Sequence, residues 1–220
     1  KYVLVCHGYT SKAKHMAGFV NKFYSLGYNV LAADARAHGN SEGTKIGMGW
    51  PERFDVIKWI KLIISWEPNA QIILHGVSMG AATVLMASGE ELPENVKVII
   101  ADCGYTSEWD EFKCEANALH IPWFPVLNAA SVMSRLRDGY DFKQASALEK
   151  VKQSRIPTLF IHGSDDELVP YSMLDKLYSA AACEKECLTV DGAGHALSSS
   201  VEPELYWNTV ESFIEKYSEK

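Results

Sequence analysis

The sequence predicts an α/β fold in which a mostly parallel sheet carries helices on both faces. Short apolar segments alternate with amphipathic ones along the 220 residues. The apolar segments lack the polar alternation of a half-exposed strand, and strands that are apolar throughout are typical of parallel sheets covered on both sides. The length suits one sizeable core. We therefore expect a single domain over residues 1–220.

Six apolar segments predict the strands. Each is short, and the segments YVLVC, VKVIIAD and IPTLFIH contain the β-branched and aromatic residues that favour strands. In chain order, the predicted strands are residues 2–6, 29–32, 71–75, 96–102, 156–162 and 186–190.

The segments between these strands predict the covering helices. Apolar residues recur there every three or four positions, as on one face of a helix. Gly27 suits the end of the first helix and Pro51 the start of the second. The predicted helices are residues 12–26, helices beginning near 51 and 79, and residues 170–182 and 203–217.

Composition excludes some classes of function. The formal net charge of −7 argues against nucleic-acid binding, because phosphate contacts need clustered basic residues. No Cys/His spacing resembles a zinc site, and no glycine-rich dinucleotide loop is present. We expect no metal, no cofactor and no nucleic-acid partner.

Cysteine usage and hydropathy indicate the compartment. The five cysteines are odd in number and include no Cys-x-x-Cys, which predicts free thiols and a cytoplasmic location. No apolar run approaches the ~20 residues of a membrane span, and no signal peptide is visible. Because an apolar strand starts directly after Lys1, we expect a fragment whose targeting or anchor segment would lie upstream.

Chemistry is expected directly after the strands, since ligands of parallel sheets bind at the carboxyl ends. Two stretches fit G-x-S-x-G, the pattern of a serine nucleophile on a sharp turn. In GVSMG, Ser78 has a strand before it and a helix of small residues after it, as the pattern requires. In GNSEG, Ser41 has loop-like residues on both sides. Ser78 is therefore the predicted nucleophile.

A serine nucleophile needs a base and an orienting acid, here expected in the order Ser, acid, His. Of the seven histidines, His195 alone lies late in the chain, in the loop GAGHA. His75 and His162 are expected to make structural hydrogen bonds, and His38 to brace its own loop. The candidate acids are Asp165 and Asp166, with Asp102 as an alternative; Asp34 precedes the nucleophile.

An oxyanion requires preorganised donors. One is the backbone N–H of Met79, after the nucleophile at the start of a helix. We assign the second to the backbone N–H of Tyr9, because Gly8 allows close approach in the loop after the first strand. Neither assignment depends on the side chain at position 9 or 79.

Five motifs in this order resemble the α/β-hydrolase superfamily, in its serine esterase and serine aminopeptidase-like branch. They are HGYTS, DARAHGNSEG, GVSMG, HGSDDELVP and GAGHA. The resemblance implies an α/β-hydrolase fold, places the triad acid at Asp166 and makes Ser41 structural. In two respects the sequence departs from the family: the usual antiparallel strands do not precede the first strand, and His75 stands before the elbow.

The resemblance also implies a helical lid at residues 104–150, between the fourth and fifth strands. Its stretch ALHIPWFPVLNAASVMSRL is apolar, and Trp123, Phe124 and Leu127 are expected to line an acyl pocket. The alternative is that these side chains pack the helices onto the sheet.

The predicted activity is acyl transfer to water through an acyl-enzyme on Ser78. A small-molecule acyl substrate, a small to medium ester, needs the least special recognition, so a carboxylesterase is the first hypothesis. A peptidase or thioesterase with the same triad, and a non-catalytic binding protein on this scaffold, are the alternatives. The sequence does not indicate an oligomeric state.

Overall fold

A six-stranded sheet forms the centre of the molecule, which a computed structural model describes for residues 1–218. The strand order is β2-β1-β3-β4-β5-β6, and every neighbouring pair is parallel. The predicted α/β class and the parallel sheet are confirmed. The strands are β1 (Tyr2–Cys6), β2 (Asn29–Ala32), β3 (Ile72–Val77), β4 (Val96–Asp102), β5 (Thr158–Gly163) and β6 (Lys185–Val190).

Helices cover both faces of this sheet. The first predicted helix, residues 12–26, is divided into a 3-10 turn at Ala13–Met16 and a helix from Ala17. The helices are α1 (Ala17–Ser25), α2 (Glu52–Trp66), α3 (Met79–Ser88), α4 (Glu108–Ala118), α5 (Trp123–Asp138), α6 (Ala147–Val151), α7 (Ser172–Ala180), α8 (Ser198–Val201) and α9 (Pro203–Ser218).

Two apolar cores lie on opposite faces of the sheet because successive strand side chains point to opposite faces. Leu4 and Leu74 pack toward α2, α3 and α7, whereas Val3 and Ile73 pack toward α1 and α9. Complete burial of one such side chain stabilises the fold by roughly 1.5–3 kcal/mol. The sheet is therefore anchored from both sides, and its carboxyl edge has a rigid support.

Helix α3 is buried along its whole length, from Met79 to Ser88. It contacts β1, β3 and β4 on one side and α2 and α6 on the other. Its small residues allow this close packing, which explains why it lacks a polar face. Within residues 1–218, no helix is long and apolar enough to cross a membrane.

Candidate active site

Ser78 occupies a strained turn between β3 and α3. Its backbone has φ +58° and ψ −120°, a region that side-chain-bearing residues rarely adopt. A Cβ on Gly76 would lie 2.3 Å from the carbonyl oxygen of Gly80, and one on Gly80 would lie 2.1 Å from that of Cys6. Both glycines are therefore required by close backbone approach, and the turn presents the serine side chain at the sheet edge.

Ser41 has a different environment. It lies exposed in a loop, and its Oγ donates a hydrogen bond to the carbonyl oxygen of Asp34 at 2.7 Å. The Asp34 carboxylate in turn accepts hydrogen bonds from the backbone N–H groups of Ala13 and Asn40. Ser41 is thus part of the hydrogen-bonded framework of this loop.

The structure brings Ser78, His195 and Asp166 into one hydrogen-bonded chain. His195 Nε2 lies 2.8 Å from Ser78 Oγ, and His195 Nδ1 lies 2.8 Å from Asp166 Oδ2. With Nδ1–H donating to the carboxylate, Nε2 is left to accept the serine proton. This geometry suits proton transfer from the hydroxyl to the imidazole.

Three donors hold the Asp166 carboxylate, and the His162 ring, whose Nε2 donates to the carbonyl oxygen of Val169, lies beside it. Oδ1 accepts from the N–H groups of Leu168 and Val169, and Oδ2 lies 2.8 Å from His195 Nδ1 and 3.2 Å from His162 Nε2. Burial raises the pKa of the Asp166 carboxyl, but the contacts with His162 and His195 outweigh it, so this pKa lies below its ordinary value. The carboxylate therefore stays charged beside the imidazole.

The other two candidate acids lie elsewhere. Asp165 is exposed and accepts a hydrogen bond from the Ser164 hydroxyl at 2.9 Å. Asp102 is fully buried at the end of β4, and Tyr206 and Ser198 lie beside it without reaching hydrogen-bonding geometry. Desolvation raises the pKa of the Asp102 carboxyl to about 6. Asp166 is the carboxylate that bonds to His195.

The loops that carry Asp166 and His195 are packed against each other. A Cβ on Gly163 would lie 2.1 Å from the carbonyl oxygen of Ala193, so only glycine allows this approach. The N–H of Asp165 donates to the same oxygen at 3.0 Å, and the N–H of Gly192 donates to Ser164 Oγ at 2.8 Å. These contacts join the loop that carries Asp166 to the loop that carries His195.

The two backbone N–H groups predicted to bind an oxyanion belong to the segments next to Ser78. Met79 is the first residue of α3, where the helix presents its positive end. Gly8 adjoins the serine, because a Cβ there would lie 3.3 Å from Ser78 Cβ. Within residues 1–218, neither the Met79 nor the Tyr9 N–H donates a hydrogen bond to a protein acceptor. Both remain available to an oxyanion.

His7 and His38 make hydrogen bonds to the loop after β1, a role that the sequence analysis did not assign to His7 and assigned only in part to His38. His7 Nδ1 donates to the carbonyl oxygen of Gly8 at 2.8 Å, and its Nε2 accepts from Ala35 N–H at 2.9 Å. Burial lowers the pKa of His7 and so favours the neutral form that this pairing needs. His38 Nε2 accepts from Thr10 N–H at 3.2 Å, so it braces the neighbouring loop as well as its own.

Ser78 stands between two cavities. The inner cavity, of about 180 Å³, is lined by Tyr105, Glu111, Phe112, Glu115 and Leu168 among others. The outer cavity, of about 370 Å³, is more open and includes Thr10, His15, Phe19, His195 and Ala196. The serine is therefore accessible from two directions, only one of which passes the imidazole.

The residues expected to line the acyl pocket lie away from both cavities. Trp123 and Leu127 line a separate apolar groove between α4 and α5, and Phe124 is 66% exposed. Phe112 of α4 is the residue shared between this groove and the inner cavity. Helix α4 rather than α5 thus faces Ser78, which corrects the expected position of Trp123, Phe124 and Leu127.

One cluster within residues 1–218 has metal-ligand chemistry. Candidate ligand atoms of Cys103, Asp166 and His195 lie within 4.8 Å of one another. Cys103 is fully buried, and burial raises the pKa of its thiol well above the ordinary value. Cys103 also packs in the apolar core on the α1 and α9 side of the sheet.

The chain is similar to several known proteins. The sequence profile of the family described as serine aminopeptidase, S33, matches residues 1–146. The uncharacterized protein YqkD of Bacillus subtilis is 30% identical over 219 residues, which are 99% of this chain and 72% of YqkD. The lysophosphatidylserine lipase ABHD12 of Macaca fascicularis is 29% identical over 183 residues, 82% of this chain and 45% of that protein.

A solved structure matches almost the whole chain. The esterase Pf2001 of Pyrococcus furiosus superposes with a TM-score of 0.80 at 25% sequence identity, covering 99% of this chain and 83% of the esterase. The similarity therefore supports the α/β-hydrolase fold of this chain.

Proposed function

Because the chain belongs to the serine aminopeptidase S33 family of α/β hydrolases, we propose that it hydrolyses a small to medium carboxylic ester through Ser78, His195 and Asp166. This proposal rests on the continuous hydrogen-bonded chain from Ser78 Oγ through His195 to Asp166. The esterase and lipase names of its relatives support an ester as the substrate.

In the first step, Ser78 Oγ attacks the ester carbonyl carbon while its proton moves to His195 Nε2. The charged Asp166 carboxylate stabilises the imidazolium that forms and holds the ring in the required orientation. When the tetrahedral intermediate collapses, the C–O bond to the alcohol breaks, and His195 returns the proton to the departing oxygen. The products are an acyl-enzyme on Ser78 and a free alcohol.

The second step repeats this chemistry with water. His195 takes a proton from the water, whose oxygen attacks the acyl carbon, and the proton then returns to Ser78 Oγ as the acid leaves. In both steps the negative oxygen is stabilised by the N–H groups of Met79 and Tyr9, which have no protein acceptor within residues 1–218. One such donor contributes about 10²–10³-fold to the rate in serine hydrolases.

Labelling with a fluorophosphonate probe tests the nucleophile. The wild type and Ser41→Ala are expected to be labelled, whereas Ser78→Ala is not. Ser41 is the matched control because it occupies the second G-x-S-x-G. Absence of labelling in the folded wild type would favour a non-catalytic binding protein on the same scaffold.

Hydrolysis rates test the triad. Asp166→Asn is expected to lower kcat by up to about 10⁴-fold, since loss of the carboxylate leaves His195 in the wrong tautomer. Asp102→Asn, at the alternative acid, is expected to retain most of the activity. Loss of activity in Asp102→Asn, with activity retained in Asp166→Asn, would show that Asp102 is the catalytic acid.

The family description raises amide hydrolysis as a second candidate. An ester, a thioester and an amide with the same acyl group separate the three activities, because they share every contact except the leaving atom. A kcat/KM that is highest for the ester supports the proposal, and one that is highest for the amide indicates a peptidase.

We also propose a reducing, cytoplasmic environment. All five cysteines are free thiols, and Cys103 is fully buried beside the catalytic residues. Fractionation of the native cells tests this location, and recovery from an oxidising compartment would contradict it.

A further inference from the structure

Glu111 is a buried carboxyl without a protein partner on the wall of the inner cavity. The residue is 5% exposed, and its Oε2 is enclosed without a hydrogen bond. Within residues 1–218, no side-chain hydrogen bond or ion pair involves either of its oxygens. The carboxyl therefore lines the inner cavity beside Ser78 with its hydrogen-bonding capacity unused.

Two other buried polar groups are satisfied by the fold, whereas Asp102 and Glu108 are buried and unpaired like Glu111 but do not line the inner cavity. The Glu52 carboxylate, also buried, accepts from the N–H groups of Gly47 and Gly49. The Tyr105 hydroxyl in the inner cavity donates to the carbonyl oxygen of Met48 at 2.9 Å. An unpaired buried polar group costs roughly 1–3 kcal/mol, and no internal contact of Glu111 offsets that cost.

The groups that face Glu111 keep it neutral. Burial, followed by the carboxylates of Glu115 and Asp166, raises the pKa of its carboxyl to about 8. Tyr105 and Cys114 are its other titratable neighbours, and no lysine or arginine lines the inner cavity. At pH 7 the carboxyl thus offers one O–H donor and one acceptor oxygen.

The inner cavity is the acyl side of the site. His195 has to protonate the departing alcohol, and it lines the outer cavity but not the inner one. The alcohol then leaves through the outer cavity, and the acyl chain extends from Ser78 toward Glu111. The inner cavity, of about 180 Å³, has about half the volume of the outer one, so a short acyl chain fits it better than a long one.

We propose that Glu111 determines substrate specificity by exchanging hydrogen bonds with an uncharged polar group, such as a hydroxyl, on a short acyl chain. This proposal rests on the proposed ester hydrolysis and adds the substrate class. An acyl chain with such a group forms hydrogen bonds with the Glu111 carboxyl. A plain alkyl chain displaces water from the carboxyl and offers no hydrogen bond in return. Sites built to hydrogen-bond a substrate group reject analogues that lack it.

Matched esters with one leaving group test the proposal. We would measure kcat and KM for p-nitrophenyl butanoate, 3-hydroxybutanoate and 3-aminobutanoate at pH 7. The wild type is expected to favour the hydroxy ester over the butanoate by about tenfold in kcat/KM or more, mainly through KM. Glu111→Gln should keep the preference because an amide also donates and accepts, and Glu111→Leu should reverse it.

Glu108→Gln is the matched control. Glu108 lies one turn earlier on α4, is also buried with an unpaired oxygen, and does not line the inner cavity. Its substitution should leave the ratio between the two esters unchanged. Fluorophosphonate labelling of every variant shows that the site has folded.

The pH dependence gives a second readout. As the pH rises past 8, ionisation of Glu111 should raise the KM for the butanoate in the wild type but not in Glu111→Gln. A preference for the aminobutanoate over the hydroxy ester would overturn the proposal in favour of a cation site.

The remaining outcomes are also decisive. An equal ester ratio in the wild type and Glu111→Leu would overturn the role of Glu111 while leaving ester hydrolysis intact. Hydrolysis of none of the three esters by a labelled wild type would reject the proposed function, and this inference with it.

Discussion

The carbonyl oxygen of Cys6 lies 2.1 Å from the point that a Cβ on Gly80 would occupy. The end of β1 and the first turn of α3 are therefore in backbone contact, next to both Ser78 and the loop that contains Tyr9. Met79 begins α3 and Tyr9 lies in the loop after β1, so this contact helps to set the distance between the two expected oxyanion donors.

Gly80→Ala should impair both catalysis and folding. The added methyl group would meet backbone atoms closer than 3 Å, so α3 or β1 must shift and carry Met79 or Tyr9 with it. We expect kcat/KM to fall about 10²-fold, as for a displacement near 1 Å, and the free energy of unfolding to fall by about 1–3 kcal/mol. Ester hydrolysis and urea denaturation measure the two effects.

Gly18→Ala is the control for this substitution. Gly18 lies exposed in α1, and a Cβ added there would point into open space. Alanine there should leave activity unchanged and stabilise the helix by roughly 0.5–1 kcal/mol. Wild-type activity in Gly80→Ala would show that the contact tolerates a side chain.

His7→Leu should lower kcat with little change in KM. The substitution removes the hydrogen bonds to Gly8 and Ala35 that hold the loop of the Tyr9 N–H. This donor acts on charge that develops only in the transition state, so substrate binding should be less affected. Steady-state kinetics on an ester should show a decrease in kcat of about 10–100-fold, below the full loss of one donor.

His120→Ala provides the comparison, because His120 is exposed between α4 and α5. Its kinetics should match the wild type. A His7→Leu variant in which KM rises and kcat persists would mean that this loop binds substrate rather than the oxyanion.

Glu108→Gln should become more stable than the wild type as the pH rises. Burial, followed by Glu52 and Asp138, raises the pKa of the Glu108 carboxyl to about 8, whereas an unfolded glutamate titrates near 4.3. Between these values the folded state holds a proton that the unfolded state has released. In the wild type, the contribution of Glu108 to stability is therefore most favourable below about pH 4. It decreases by up to about 1.4 kcal/mol per pH unit as the pH rises toward 8.

Urea denaturation at pH 5, 6.5 and 8 measures this difference. Glutamine is neutral at all three pH values. The free energy of unfolding of the variant, minus that of the wild type, should therefore increase with each rise in pH. A constant difference across the three pH values would show that Glu108 is ionised in the folded protein.

Local patterns were sufficient for the architecture. Fully apolar segments predicted buried parallel strands, and the boundaries differ mainly where pairing extends a strand, as when β3 continues to Val77 opposite Asp102. The choice between Ser78 and Ser41 was also local, since a strand and a helix of small residues flank only one of them. The prediction of His195 as the base followed from its position in the loop after the last strand.

The choice among the acids depended on more than spacing. Asp165 and Asp166 are adjacent, and only the resemblance to a family favoured Asp166. In the structure, Asp166 turns inward to Leu168, Val169 and His195, while Asp165 remains exposed. The side chains of these two neighbouring aspartates thus point in different directions, and their identical residue type gives no indication of which one points inward.

The sequence by itself determined the parallel sheet, the sharp turn at Ser78 and the loops that follow the strands, because these depend on neighbouring residues. Only the tertiary structure decided which helix faces Ser78 and which of the unpaired buried carboxyls lines the cavity beside it. Both α4 and α5 carry apolar residues, so their periodicity was compatible with either arrangement. Packing across the whole chain placed α4 over Ser78, and with it brought Glu111 into the inner cavity.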